Sequence, residues 1–341
     1  SLKNTNGSIN TWDVSNVTYM QQMFYGDSLF NQPLNNWNTE KVTSMNSMFY
    51  NAASFNQPLS WNTSKVTDMS SMFWGAKAFN SAINFTNTEK VQNMSNMFQG
   101  AKAFNQPLSF NTSSVTNMSS MFYNAVSFNS PLNFTNTSKV QYMGSMFNND
   151  SAFNQPVNFN TSEVTDMNSM FYNATSFNQP VNFTNTSKVQ SMSNMFNGAK
   201  VFNQPLYFNI LSVQDMSAMF QGAKKFNSPL NFAYSLNSRL KATRQMFYDA
   251  SDFNQPLYFN TDSVVDMSYM FYNDTMFNQP VNFNTSQVRG MYGMFQNAKA
   301  FNQPINFDTR LVRTMQNMFN GDSLFLSLIH ISEPTRRTPI S

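Results

Sequence analysis

The dipeptide Met-Phe recurs thirteen times, at Met23, Met48, Met72, Met97, Met121, Met146, Met170, Met195, Met219, Met246, Met270, Met294 and Met318. Successive intervals are 24 or 25 residues, with one of 27 between Met219 and Met246. A unit of that size cannot bury its own apolar face, so it must stack on its neighbours and share one continuous core with them. The period therefore predicts a repeat solenoid over residues 1–325, one unit per coil, rather than two ordinary domains.

One unit shows the internal pattern. Leu59 and Trp61 lie two residues apart and are matched by Ile83 and Phe85, Leu108 and Phe110, and Leu132 and Phe134, which predicts a short strand with one buried side. Val66, Met69, Met72 and Phe73 fall at i, i+3, i+6 and i+7, a spacing that predicts a short helical or 3-10 turn. Of 26 methionines, 25 occupy the Met-Phe position or the one three residues before it. These read as adaptable core filler. The expected coil is thus one short parallel strand and one short helical turn, in a leucine-rich-repeat-like solenoid.

Catalytic equipment is lacking. Cysteine is absent, which removes disulfides, thiolate metal sites and thiol nucleophiles. The only histidine, His330, lies in a segment where the pattern breaks down. Aspartates such as Asp68, Asp166, Asp215 and Asp266 share one repeat position, just before a methionine, where they read as caps for the helical turn rather than as a calcium array. No enzyme activity, cofactor or metal is expected. A net charge of +3 is too small to predict a nucleic-acid partner, and no run of eighteen apolar residues predicts a membrane span.

The outward strand positions are the candidate binding surface: Ser60, Asn84, Ser109, Asn133, Asn158, Asn182, Tyr207, Asn231, Tyr258, Asn282 and Asn306. They predict a neutral, hydrogen-bonding face for a protein or glycan ligand. A flanking row that includes Asn62, Asn111, Asn160 and Asn209 reads as corner residues that satisfy backbone. A third row follows Met-Phe, with Tyr25, Tyr50, Trp74, Tyr123, Tyr172, Tyr248 and Tyr272. Its regular aromatics suit either a contact surface or packing between turns. The 27-residue unit has Leu240 and Thr243 where Val and Met are expected, and Arg239, Lys241 and Arg244 within it read as solvated charges on a drifted repeat.

The run Phe-Asn-Gln-Pro-Leu, a Trp or Phe, Asn-Thr-Ser, Val-Thr-Asp-Met-Ser and Met-Phe resembles the BspA-like leucine-rich-repeat family of surface proteins, including the repeats of mycoplasma-type lipoproteins. The likeness spans residues 9–325. It departs from the family where the usual Trp-Asp, present as Trp12-Asp13, becomes Trp37-Asn38 and then mostly Phe followed by Asn or Thr. The resemblance implies a secreted or cell-surface protein acting in adhesion or host contact. Intracellular scaffolding and a glycan- or ice-binding Asn/Thr array are the alternatives. The final run from Leu326 to Ser341 resembles the translation of a sequencing-library adapter, so 326–341 is expected to be a non-native tail and the solenoid to be truncated at both ends.

Overall fold

A computed structural model describes residues 8–232 and 239–325. The tail expectation, with His330, falls outside the described residues. The described chain is a repeat solenoid in which each coil bonds to the coils before and after it.

Three aromatic columns run through the core. Phe49, Phe73, Phe98 and Phe122 stack at 5.4 to 5.5 Å with their rings within 6° of parallel. The column of Phe55, Phe79 and Phe104 repeats at 5.7 Å, and each of its rings also lies about 4 Å from the first column, as Phe73 and Phe79 do at 4.2 Å. Trp37, Trp61, Phe85 and Phe110 form the third column at 6.0 to 6.3 Å. Both methionine positions are fully buried from Met45 through Met294, save Thr243, which takes a methionine's place. Offset rings and polarizable thioethers fill the slice between coils, and every coil repeats the same packing problem with the same solution.

The segment expected to be helical is not helical. The only helical element bounded on both sides by described residues is a 3-10 turn, Ile9–Thr11. Over 69–76 the chain instead makes consecutive turns, with N–H of Met72 to C=O of Met69, Trp74 to Ser71 and Ala76 to Phe73. The intervening N–H groups leave the coil: Met69 donates to Asn93, Ser71 to Ser95, Phe73 to Met97 and Gly75 to Gln99, at 2.7 to 3.0 Å. A helix would spend every donor internally. Here half of them join coil to coil.

Two left-handed residues per coil make this possible, at Ser71 and Gly75 (φ 56° and 65°) and at their equivalents throughout. The second position is always Gly, Asn or Asp, the residues that tolerate such φ, and type II turns require it at their third residue. A Cβ at Gly75 would meet Asn51 Oδ1, whereas one at Gly100 would find nothing closer than 3.8 Å. Both Gly75→Ala and Gly100→Ala should lose about 1 kcal/mol to the left-handed backbone. Gly75→Ala should lose more, because Asn51 must also rotate away. Chemical denaturation of the two variants checks the order.

The strands are also placed differently from the sequence expectation. The unbroken ladder of parallel bridges runs through the residue before the first methionine, from Tyr19 through Ser44, Asp68, Asn93 and Asn117 to Gly290 and Thr314. At the apolar pair that predicted a strand, bridges form only between alternate coils: Leu59 with Ile83, Leu108 with Leu132, Val157 with Val181 and Leu206 with Leu230. Units with one extra residue after the aromatic, Phe85 to Val91, Phe134 to Val140 and Phe183 to Val189, alternate here with units that lack it, and each bridge at these units runs from the shorter unit to the longer one that follows; at the first, Asn87 takes φ 61°. At the three junctions that run from a longer unit to a shorter one, a threonine makes a two-way rung. Thr88 Oγ1 donates to Asn111 C=O and accepts from Asn111 N–H at 3.1 and 2.8 Å, and Thr137 with Asn160 and Thr186 with Asn209 do the same.

Candidate functional site

The asparagine of Phe-Asn-Gln-Pro builds a structural spine. Asn56 N–H donates to Asn31 Oδ1, Asn80 to Asn56, Asn105 to Asn80 and Asn129 to Asn105, at 2.8 to 2.9 Å. The following glutamine or serine bonds the same asparagine, as Gln106 Nε2 does at Asn80 C=O and Ser81 Oγ at Asn56 C=O. The side-chain oxygen of this asparagine is thus committed within the stack, although Asn56, Asn80, Asn105 and Asn129 are themselves exposed. The flanking corner row is similarly occupied: Asn62, Asn111, Asn160 and Asn209 each accept the N–H two residues on, at 3.0 to 3.1 Å. Asp68, Asp166, Asp215 and Asp266 accept in the same way from Ser70, Asn168, Ser217 and Ser268 at 2.8 to 2.9 Å. These carboxylates cap a turn in the bridge ladder rather than the start of a helix.

All eleven residues of the first candidate row are exposed, from Ser60 and Asn84 to Asn282 and Asn306, while the apolar residues on either side point inward. Its two tyrosines, Tyr207 and Tyr258, are 69% and 68% exposed. Two neighbouring pairs bond each other, Asn133 Nδ2 to Ser109 Oγ at 3.5 Å and Asn182 Nδ2 to Asn158 Oδ1 at 2.8 Å.

The aromatic row after Met-Phe packs along the stack where two aromatics are consecutive. Tyr25 and Tyr50 lie 4.5 Å apart and 3° from parallel, Tyr50 and Trp74 are 5.0 Å apart, and Tyr248 and Tyr272 lie 4.5 Å apart. Around the last pair stands a cluster that the sequence reading did not assemble. Tyr269 and Tyr292 occupy positions that are small in most earlier coils, such as Ser71 and Ser95, and they join Tyr248 and Tyr272 beneath Arg244. Burial and the neighbouring phenol of Tyr272 hold the Tyr248 hydroxyl above its ordinary pKa, with Asp249 adding to the effect. Tyr269 is raised by burial and by Tyr292, against the opposing charge of Arg244. Aligning the units column by column, rather than scanning for motifs, would have exposed this substitution of large for small.

Among the described residues, no three carboxylate or histidine side chains come together as a metal site, and no helix is long and apolar enough to cross a membrane. What the geometry defines is a class: a turn-rich parallel solenoid with a ring-stacked core and polar rows outside. The chain belongs to the family described as Mycoplasma protein of unknown function, DUF285, whose model matches residues 1–109, 59–158, 156–258 and 231–330. No curated protein matches it by sequence. Among solved structures it is similar to the Toll–Spatzle complex of Drosophila at 10% identity and TM-score 0.33, over 79% of this chain and 39% of that one. It is also similar to the TLR13–ssRNA13 complex at 11% identity and TM-score 0.27, over 91% and 48%. The chain thus spans less than half the length of either.

Proposed function

We propose that this chain is a non-catalytic binding protein, displayed on the cell surface or secreted, that adheres to a protein or glycan through its outward row. The observation that carries the reading is the file of exposed Ser, Asn and Tyr side chains, one per coil from Ser60 to Asn306, beside rows whose Asn and Asp side-chain oxygens accept backbone N–H groups within the stack. A row of neutral donors and acceptors on a rigid frame loses little entropy on binding and can engage a long ligand at many points. The resemblance to BspA-like surface repeats favours adhesion over intracellular scaffolding.

The test is a triple variant, Asn133→Glu with Asn158→Glu and Asn182→Glu, probed with the wild type against arrays of extracellular-matrix proteins and glycans. The variant should stay folded with a slightly lowered melting temperature, because it loses the Asn182–Asn158 hydrogen bond and sets three carboxylates side by side, and affinity for any wild-type ligand should fall roughly tenfold or more, since each unpaired interfacial charge costs about a kcal/mol or more. Undiminished binding by the triple variant would remove the row from the reading.

A further inference from the structure

The last four coils carry a second, chemically distinct surface. On the near side of the bridge ladder, earlier coils place Thr43, Thr67, Gln92, Thr116, Gln141 and Thr165 in file, each bonded by its backbone to the next. The file continues as Lys241, Val265, Arg289 and Arg313, linked N–H to C=O at 2.8 to 2.9 Å, so three of four consecutive coils now project a cation. All three cations are exposed. On the far side of the ladder the usual small residues give way to Arg244 and Gln245, then Tyr269, then Tyr292. The result is an open groove of about 390 Å³, lined by Arg244, Gln245, Tyr248, Tyr269, Tyr272 and Tyr292, with Gln296 and Asn317.

No carboxylate lines this groove. Lys241, Arg244, Arg289 and Arg313 take part in none of the ion pairs among the described residues. Of the acids on neighbouring positions, Asp266 Oδ1 accepts from Ser268 N–H at 2.9 Å, and Asp249 faces Lys224 at 3.7 Å. The charges read from sequence as solvated drift therefore stand beside a concave aromatic site.

We propose that this groove binds an acidic polysaccharide, a chain of carboxylated or sulfated sugars laid along the coil axis. Tyr248 and Tyr272 lie parallel but cover each other at 4.5 Å, and the other two rings break the ladder. Tyr269 stands at 65° and 73° to Tyr248 and Tyr272, and at 54° to Tyr292. One ring face is thus offered at a time, with hydroxyl edges around it. A puckered sugar ring uses that arrangement, with its C–H face on the aromatic and its hydroxyls bonded to phenol and amide groups. Successive planar bases would need successive parallel faces. Arg244 lies 5.9 Å from the Tyr269 ring centroid, which holds its guanidinium over the groove, and Lys241, Arg289 and Arg313 in the file alongside it can pair with acidic groups spaced along the chain. This site shares no residue with the Ser/Asn/Tyr row and does not depend on it.

The full chain should bind size-defined heparin and hyaluronan oligosaccharides in fluorescence titrations and fail to bind neutral dextran. Arg289→Gln with Arg313→Gln should weaken binding by roughly tenfold or more, through loss of charge-assisted hydrogen bonds. Tyr269→Ser, which restores the residue found at Ser71 and Ser120, keeps the fold and should weaken binding by a similar factor through lost ring contact. Lys65→Gln with Lys90→Gln, on distant coils, should leave affinity unchanged. Binding no tighter than to dextran, equal loss in the Lys65/Lys90 variant, indifference to Tyr269→Ser, or tighter binding of single-stranded oligothymidylate would each overturn the proposal.

Discussion

Phe147→Ala should destabilise the protein by about 3–5 kcal/mol and split its unfolding into two steps. Phe147 is fully buried and stacks on Phe122 at 5.6 Å, on Phe171 at 5.5 Å and on Phe153 at 4.0 Å. In a globule, neighbours on all sides would share the loss. In a solenoid each coil touches only two others, so stability is a chain of nearest-neighbour terms and the weakest one sets where cooperativity breaks. Phe147 lies near the middle, and its removal should let the two halves melt separately. Calorimetry would register two transitions where the wild type shows one, and hydrogen exchange would place the fast amides around 146–153. A single transition at the wild-type temperature would mean that the columns do not carry the cooperativity.

The second large effect has the opposite sign. Asp150 and Asp274 stand where nine of thirteen coils have alanine, and both are fully buried. No hydrogen bond of ordinary geometry reaches either carboxyl oxygen of either residue. Burial pushes both carboxyls well above their ordinary pKa. At Asp274 the charge of Asp252 adds to the shift, and the nearby N–H groups of Met276 and Phe277 oppose it. Because the folded state holds the proton more tightly than the unfolded chain, the stability tied to it is complete below the unfolded value near 3.9 and is lost as pH rises through the raised folded values. The wild type should therefore melt at lower temperature near neutral pH than near pH 4. Asp150→Ala with Asp274→Ala should flatten that slope and gain about 1–3 kcal/mol per site at neutral pH. Denaturant titrations at two pH values check both, and an unchanged slope in the double variant would show that the carboxyls are not its source.

The sequence made the solenoid legible because its period and its buried columns are properties of side chains. Phe, Met and Leu recur where the slice between coils must be filled, and no other arrangement buries them all. The course of the backbone within a coil was not legible in the same way. Spacing of i, i+3, i+6 and i+7 is shared by a helical stripe and by consecutive turns, each closing over three residues, and the column from Gly75 to Gly100, Asn124 and Asn149 held the deciding signal. A residue that must take positive φ once per coil cannot sit inside a helix. The true ladder, through Ser44, Asp68, Asn93, Tyr142 and Gly290, is made by backbone alone, and the Asp and Asn that recur at its position accept an N–H two residues on, a pattern that a helix cap shares. The outward row was readable because its neighbours alternate inward. The tyrosine groove was not, since Tyr269 and Tyr292 belong to different repeat positions and meet only when adjacent coils are superposed.

The alternation of bridged and threonine-linked junctions bears on how such a chain changes length. The bridged pairs begin at Leu59, Leu108, Val157 and Leu206, 49 residues apart. Unequal recombination that removes or adds 49 residues leaves every aromatic column and both kinds of junction in register. An exchange of a single unit sets two units of one kind side by side, as the short units at Leu257, Val281 and Ile305 are, where no bridge forms and the threonine only donates, Thr261 Oγ1 to Asn284 C=O and Thr285 Oγ1 to Asp308 C=O at 3.0 Å. Copy number in this part of the molecule is thus counted in twos, and a lineage that varies its reach would do so in steps of two coils.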